Sequence, residues 1–216
     1  MGEGGKRIMK YIASIKIAAF LASLTPLGLL GFDAYNDNLG ANPIEVITRS
    51  TGTSTLVFLL LTLTVTPLRR ISGQQWLIKL RRMLGLYAFF YACLHFSTYI
   101  WLDQFFDLEE IVKDVIKRPF ITVGFASFVL LIPLALTSTT GMIRRLGKRW
   151  QQLHRLVYVI GVGGVVHFLW LVKADLTQPI IYGSILGLLL GYRLLAKWRP
   201  RLSISFASKA QTETEI

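Results

Sequence analysis

The 216-residue chain holds three histidines, His95, His154 and His167. Each lies in or at the edge of a long uncharged apolar run, where ionisable side chains are rare and are functional candidates by default. His95 stands 13 residues beyond Arg82, and His167 stands 12 residues beyond Arg155; these arginines are the last charges before the two runs begin. At 1.5 Å per helical residue the intervals are ~20 Å and ~18 Å, so the two imidazoles share one level if both helices start from the same side. Two neutral imidazoles at matched depth on facing helices are what axial ligation of one haem iron requires. The competing reading has each histidine bonding a carbonyl, Ser or Thr of a neighbouring helix. It suits a lone residue and explains a level pair less well.

His154 is a different case. It precedes His167 by 13 residues, which is ~20 Å and about 220° of rotation along an unbroken helix. A second haem below the first would need a partner 13 residues before His95, and Arg82 stands there beside Arg81. Neither arginine ligates iron. Three roles therefore stay open for His154: ligation through an unusual partner, a hydrogen bond to a cofactor at the inner face, or proton relay. Gly161, Gly163 and Gly164 precede His167 and would let a flat macrocycle approach the helix, or serve ordinary helix packing.

Other chemistries lack their residues. Cys93 is the only cysteine, so neither an intrachain disulfide nor a thiolate metal site can be built. No acidic residue lies in any apolar run, which argues against a carboxylate proton relay or a cation-transport site. The "GVGG" stretch lacks the strand–turn–helix setting of a nucleotide fingerprint.

The elements that must position the histidines follow from hydropathy. Hydrophobic residues make up 53% of the chain and charged residues 17%, against about 25% charged in soluble domains. The uncharged runs are 17–32, 50–68, 83–102, 119–143, 156–172 and 176–192. Each is close to the roughly 20 residues that cross a bilayer as a helix. The expected fold is therefore all-α: a polytopic membrane protein built as a six-helix bundle. No internal repeat stands out. The basic start of the chain resembles a signal peptide, but its run contains Lys16, lacks a convincing cleavage site and is followed by five more spans. It is expected to be retained as the first span.

Charge sets the orientation. The termini and the loops 69–82 and 144–155 carry 18 basic residues, while the opposite side carries five basic residues and nine acids. Short basic loops stay inside, so both termini are expected in the cytoplasm, as a segment 1–10, a membrane domain 11–199 and a tail 200–216. The net charge of +12 is read as topology and contact with anionic lipid, with no nucleic-acid partner. Outside, residues 103–118 place apolar side chains at helical spacing and suggest a short amphipathic helix on the outer surface. The first outer loop reads as irregular until Pro43, where a helix begins. Inside, Arg81, Arg82 and "RRLGKRW" form a cationic rim that suits lipid or a phosphate-bearing cofactor. Trp76 and Trp150 nearby suit an interfacial belt or stacking on a flavin.

The stretches "VTPLRR", "LRRMLGLYAFFYACLHFSTYIWLD" and "KRPFITVGFASFVLLIPLALTSTTGMIRRLGKRWQQLHRLVY" resemble the ferric-reductase-like transmembrane superfamily, and within it the MsrQ (YedZ) family. The resemblance spans nearly the whole chain. It implies a bacterial inner-membrane subunit that carries b haem and FMN. Electrons would come from quinol or a cytoplasmic flavin reductase and pass to a periplasmic molybdopterin-containing methionine sulfoxide reductase that repairs oxidised proteins. By analogy, Arg81 and Arg82 would contact the FMN phosphate at the inner face. Members with two stacked haems carry two histidines on each of two helices; this chain has one on its third span, so only the outer haem transfers, with His95 and His167 as ligands. Two alternatives compete: a cytochrome b subunit serving another reductase or dehydrogenase, and a cofactor-free transporter or anchor.

Overall fold

The computed structural model describes residues 3–172 and 174–198. The tail 200–216 and Lys173, in the loop before α9, lie outside the described residues. Nine α-helices and no strands occur among the described residues: α1 (Glu3–Tyr35), α2 (Pro43–Ser72), α3 (Ile78–Thr98), α4 (Leu108–Lys117), α5 (Pro119–Leu136), α6 (Thr140–Leu146), α7 (Lys148–Leu153), α8 (Leu156–Leu171) and α9 (Thr177–Trp198). Six segments are long and apolar enough to cross a membrane, one for each apolar run of the sequence.

Chemistry at the helix ends explains the boundaries. The Asn42 side chain accepts the Glu45 N–H and Pro43 opens α2, while Gly73 closes it at φ 69°; these are favoured start and stop residues. The amphipathic helix expected within 103–118 is present as α4, with the Asp107 carboxylate accepting the N–H groups of Glu109 and Glu110. Its carboxylate Asp114 is buried and meets Tyr99 Oη at 3.4 Å, Gln104 Nε2 at 3.3 Å and Arg118 Nε at 3.1 Å. These contacts tie α4 to the turn of π-helix at Tyr99–Asp103 that continues α3. In the loop before α9, Asp175 accepts the Thr177 N–H at 2.9 Å, and hydrogen bonding to Thr177 holds its carboxyl below the usual value.

One run and one span are interrupted where the sequence read as continuous. The fourth run, 119–143, stops at Leu136. There Thr137 and Ser138 turn their hydroxyls back onto the carbonyls of Pro133 and Leu134, and Thr139 caps a new helix by accepting the Met142 N–H. Short hydroxyl side chains that bond nearby backbone compete with helix continuation. The fifth span breaks at His154–Arg155, between α7 and α8. The N–H groups of Arg155, Val157 and Tyr158 reach carbonyls three residues back rather than four, which overwinds the chain locally. The unbroken helix assumed between His154 and His167 is therefore corrected.

The core lies where α2 and α3 meet α5 and α8. Leu56, Leu59, Leu60 and Leu63 repeat at helical spacing on α2 and are 5% exposed or less. They pack with Tyr87, Ala88, Tyr91 and Ala92 of α3, Leu131 and Leu134 of α5, Val157 and Ile160 of α8, and Leu186 of α9. The alanines of α3 let it lie close along α2. Phe96 of α3 stacks on Phe128 of α5 at 4.6 Å, joining the pairs α2–α3 and α5–α8. Helix α1 is held by hydroxyls: Tyr87 donates to the Phe20 carbonyl at 3.0 Å, and Tyr91 donates to the Ser23 carbonyl at 2.8 Å.

Candidate haem site

His95 projects from α3 and His167 from α8, and the structure brings them together. Their ring centroids lie 6.2 Å apart with the planes at 75°. Each ring is tied to a different helix. His95 Nδ1 donates to the Thr48 carbonyl on α2 at 2.9 Å, and His167 Nδ1 donates to the Phe120 carbonyl on α5 at 2.6 Å. A carbonyl oxygen only accepts, so both rings carry their proton on Nδ1, and the Nε2 lone pair of each is free to bind a metal. The Thr48 hydroxyl also bonds Thr98 at 3.2 Å, which ties the carbonyl-bearing turn of α2 to α3 just beyond His95.

These residues fit haem iron. Metal–imidazole bonds run about 2.0–2.1 Å, and the ring centre lies about 1.1 Å behind the nitrogen, so two trans imidazoles hold their centroids roughly 6.3 Å apart. The observed 6.2 Å meets that requirement. The donor set also suits the group, because two imidazoles with no nearby cysteine or carboxylate are typical of haem rather than zinc. Among the described residues, no group of three or more His, Cys, Asp or Glu side chains could hold a metal ion.

Two glycines overlooked in the sequence adjoin the rings. A Cβ on Gly52 of α2 would lie 2.9 Å from His95 Cε1, and a Cβ on Gly124 of α5 would lie 2.7 Å from His167 Nδ1. Both imidazoles therefore occupy space that any other residue type would fill. Gly161, Gly163 and Gly164, offered by the sequence as a macrocycle approach, meet other side chains instead: Leu186 and Leu59, Ser127 and Val123, and Leu56. Their role is helix packing.

His154 stays apart from the pair. Its ring stacks on Trp150 with centroids 3.9 Å apart. Its Nε2 lies 3.5 Å from Ser138 Oγ, and its Nδ1 is buried with no hydrogen-bond partner among the described residues. Trp150 thus stacks on His154, and it donates its Nε1–H to the Thr137 carbonyl at 3.0 Å. The two rim arginines diverge: Arg82 reaches Thr140 Oγ1 at 3.3 Å, while Arg81 lies near Tyr158, Arg193 and Arg69. Arg193 was not singled out in the sequence. It donates to the carbonyls of Leu189 and Leu63 and lies over the Tyr158 ring at 5.5 Å. The sequence does show Arg193, but as one more inner-side charge.

Residues 51–165 match the family described as the ferric reductase like transmembrane component, a stretch that includes Gly52, His95, Gly124 and His154. Among curated proteins, the chain is 60% identical to the protein-methionine-sulfoxide reductase heme-binding subunit MsrQ of Herminiimonas arsenicoxydans, with 87% of each chain covered. It is 55% identical to that of Azospira oryzae, covering 88% of this chain and 82% of the relative. Against that of Bordetella pertussis the figures are 54%, 88% and 93%. No solved structure matches the chain. With a paired-imidazole site between six apolar spans, and relatives this similar over most of its length, the chain belongs to the MsrQ family of ferric-reductase-like transmembrane proteins.

Proposed function

We propose that this chain is a haem-binding electron-transfer subunit of the bacterial inner membrane that serves a methionine sulfoxide reductase. The observation that carries the reading is the imidazole pair: two rings protonated on Nδ1 by backbone acceptors, with centroids 6.2 Å apart. His95 and His167 would hold a b-type haem. Haem held there would supply one-electron transfer, with the chain's own two imidazoles as its protein ligands. The chain's own work is to fix both tautomers, exclude competing ligands and seat the pair between helices. The relatives' names supply the system. The finer reading of the partner is a periplasmic molybdopterin-containing subunit, with quinol or a cytoplasmic flavin reductase as donor.

The inner rim is the proposed place for FMN, with Arg81 and Arg82 as candidate phosphate contacts, because guanidinium pairs with phosphate bidentately. Arg81 is the better placed, since Arg82 is engaged by Thr140. His154 and Trp150 belong to the same inner region, so His154 is proposed as a rim residue and not as a ligand of the outer haem. Both termini are proposed to be cytoplasmic, on the excess of basic residues in the loops of that side. A periplasm-active reporter fused after residue 198 is expected to be inactive, and the same reporter inserted between α3 and α4 active. The opposite pattern would invert the topology and move the histidine pair to the inner half.

Delivery is tested in membranes by following the reduced haem band. Adding the periplasmic reductase together with oxidised methionine is expected to reoxidise the band, and either addition alone is not. Reoxidation that is indifferent to this partner would favour the cytochrome b subunit of another reductase or dehydrogenase. A colourless protein, purified intact from cells supplied with haem, would leave the transporter or anchor.

A further inference from the structure

The two histidines are held by the same device in the same register. His95 bonds the carbonyl of residue 48 and abuts Gly52; His167 bonds the carbonyl of residue 120 and abuts Gly124. The histidine follows its carbonyl partner by 47 residues and its glycine by 43 in both cases, and the two copies are offset by 72 residues. In each, the carbonyl and the glycine are four apart, one above the other on the same face of the supporting helix. The structure thus contains an internal correspondence, α2–α3 with α5–α8, in which the histidine, the glycine and the backbone carbonyl recur while neighbouring side chains differ. Thr48 matches Phe120, Ala92 matches Gly164, and Arg82 matches His154. The last pairing shows why the correspondence yields one level pair of histidines: His154 has an arginine as its counterpart.

Resting on the haem reading above, we propose that Gly52 and Gly124 are paired positioning residues that set the crossing of the two imidazole planes. An imidazole turns about two side-chain bonds, and two contacts suffice to stop it. The carbonyl takes the Nδ1–H. The bare Cα of the glycine one turn further along the helix takes the edge of the ring beside that nitrogen. For His95 the edge nearest a Gly52 Cβ runs from Nδ1 through Cε1 to Nε2; for His167 the edge nearest a Gly124 Cβ runs from Cγ through Nδ1 to Cε1. The rings are thus seated differently by equivalent contacts, and their planes cross at 75°. A methyl group at either glycine has no free space, since Cβ contacts under 3.0 Å with a ring that is itself hydrogen-bonded force the ring or the helix to move. By contrast, a Cβ on Gly85 of α3 meets only Thr62, at 3.7 Å, and one on Gly191 of α9 meets nothing within 4 Å.

The crossing angle has a signature independent of activity. Axial imidazoles with crossed planes leave the two iron d orbitals that overlap them nearly degenerate. The ferric low-spin electron paramagnetic resonance spectrum then collapses to one dominant low-field feature of large anisotropy. Parallel planes split the orbitals and give a rhombic, three-feature spectrum. The purified full chain with haem incorporated is expected to show the single low-field feature. Gly52→Ala and Gly124→Ala are each expected to keep less than half the wild-type haem per chain, and the haem they keep is expected to shift toward the rhombic form. Gly85→Ala and Gly191→Ala are expected to match wild type in both measures.

A colourless wild type would overturn the haem reading and this proposal together. A coloured wild type with haem content and spectra unchanged in Gly52→Ala and Gly124→Ala would overturn only the proposal, as would equal losses in the two control variants. If the alanine variants cannot be purified, the wild-type spectrum decides: a rhombic signal means that the rings do not keep the carbonyl-and-glycine seating.

Discussion

His95→Ala and His167→Ala are each expected to abolish the low-spin b-type bands of the purified chain, oxidised and dithionite-reduced, while His154→Ala keeps them. The two substitutions remove separate anchors of one site. Each also removes the ring donor that reaches a helix carbonyl, that of Thr48 or Phe120. Changes to the outer shell of a metal site already cost roughly 10–100-fold in affinity, so losing an axial ligand should lower haem content by at least about tenfold. The measurement is haem per polypeptide from the pyridine spectrum, with folding checked by elution in detergent. Retained bands in either variant would remove that histidine from the metal set. Loss of the bands in His154→Ala alone would move the site to the inner rim.

The second large effect concerns the fold. Helix α1 contains Pro26, which lacks an N–H and disturbs the hydrogen-bond ladder around it. Beside that proline the Tyr91 hydroxyl from α3 reaches the backbone of α1: it donates to the Ser23 carbonyl at 2.8 Å and accepts from the Leu27 N–H at 3.3 Å. The Tyr91 ring is 1% exposed and stacks on Phe58 at 5.3 Å, so no water is at hand to replace the hydroxyl. Inside a bilayer each backbone group must find a partner within the protein. Tyr91→Phe leaves the ring in place and strands both groups, at a cost of about 1–3 kcal/mol. For a chain of this size that corresponds to roughly 2–4 °C of melting temperature per kcal/mol. Adding Pro26→Ala, which restores the backbone N–H that α1 lacks at that position, is expected to recover part of the loss. Tyr87→Phe is expected to cost less, because the Tyr87 hydroxyl only adds a bond to the Phe20 carbonyl in an undisturbed stretch. Equal melting temperatures for Tyr91→Phe and wild type would show that the Tyr91 hydroxyl contributes nothing to holding α1.

Much of the site was legible because bilayer thickness acts along one dimension. A run of apolar residues must span the hydrocarbon as a helix, so residue counts from a charged boundary measure depth. His95 and His167 could be placed at one level from Arg82 and Arg155 alone. Local chemistry was legible for the same reason: Asn42–Pro43 starts α2, and the apolar spacing of Leu108, Ile111, Val112, Val115 and Ile116 forms α4, whereas Phe105 and Phe106, also at that spacing in the sequence, lie in the turn before it. Such features depend only on near neighbours in the chain. The break at Thr137–Thr139 was harder to see, because the uncharged run 119–143 passes through it; that at His154–Arg155 lies just before the run 156–172, where a change of hydrogen-bonding partner leaves no mark in residue type.

Tertiary structure decided whatever depends on which face of one helix meets another. Depth cannot tell whether two level histidines face each other. The 6.2 Å spacing follows from how α3 packs on α2 and α8 on α5. The tautomers rest on carbonyls 47 residues away in sequence, and a carbonyl is common to every residue type, so no residue identity could announce them. Gly52 and Gly124 were passed over while Gly161, Gly163 and Gly164 drew attention, because a glycine's purpose lies in the side chain opposite it. Arg81 and Arg82 are neighbours in sequence, yet the helix turns them about 100° apart. The sequence by itself determined six spans, their charge-sided ends and two histidines at one depth; the packing of the helices determined that those histidines form a pair and how they are held.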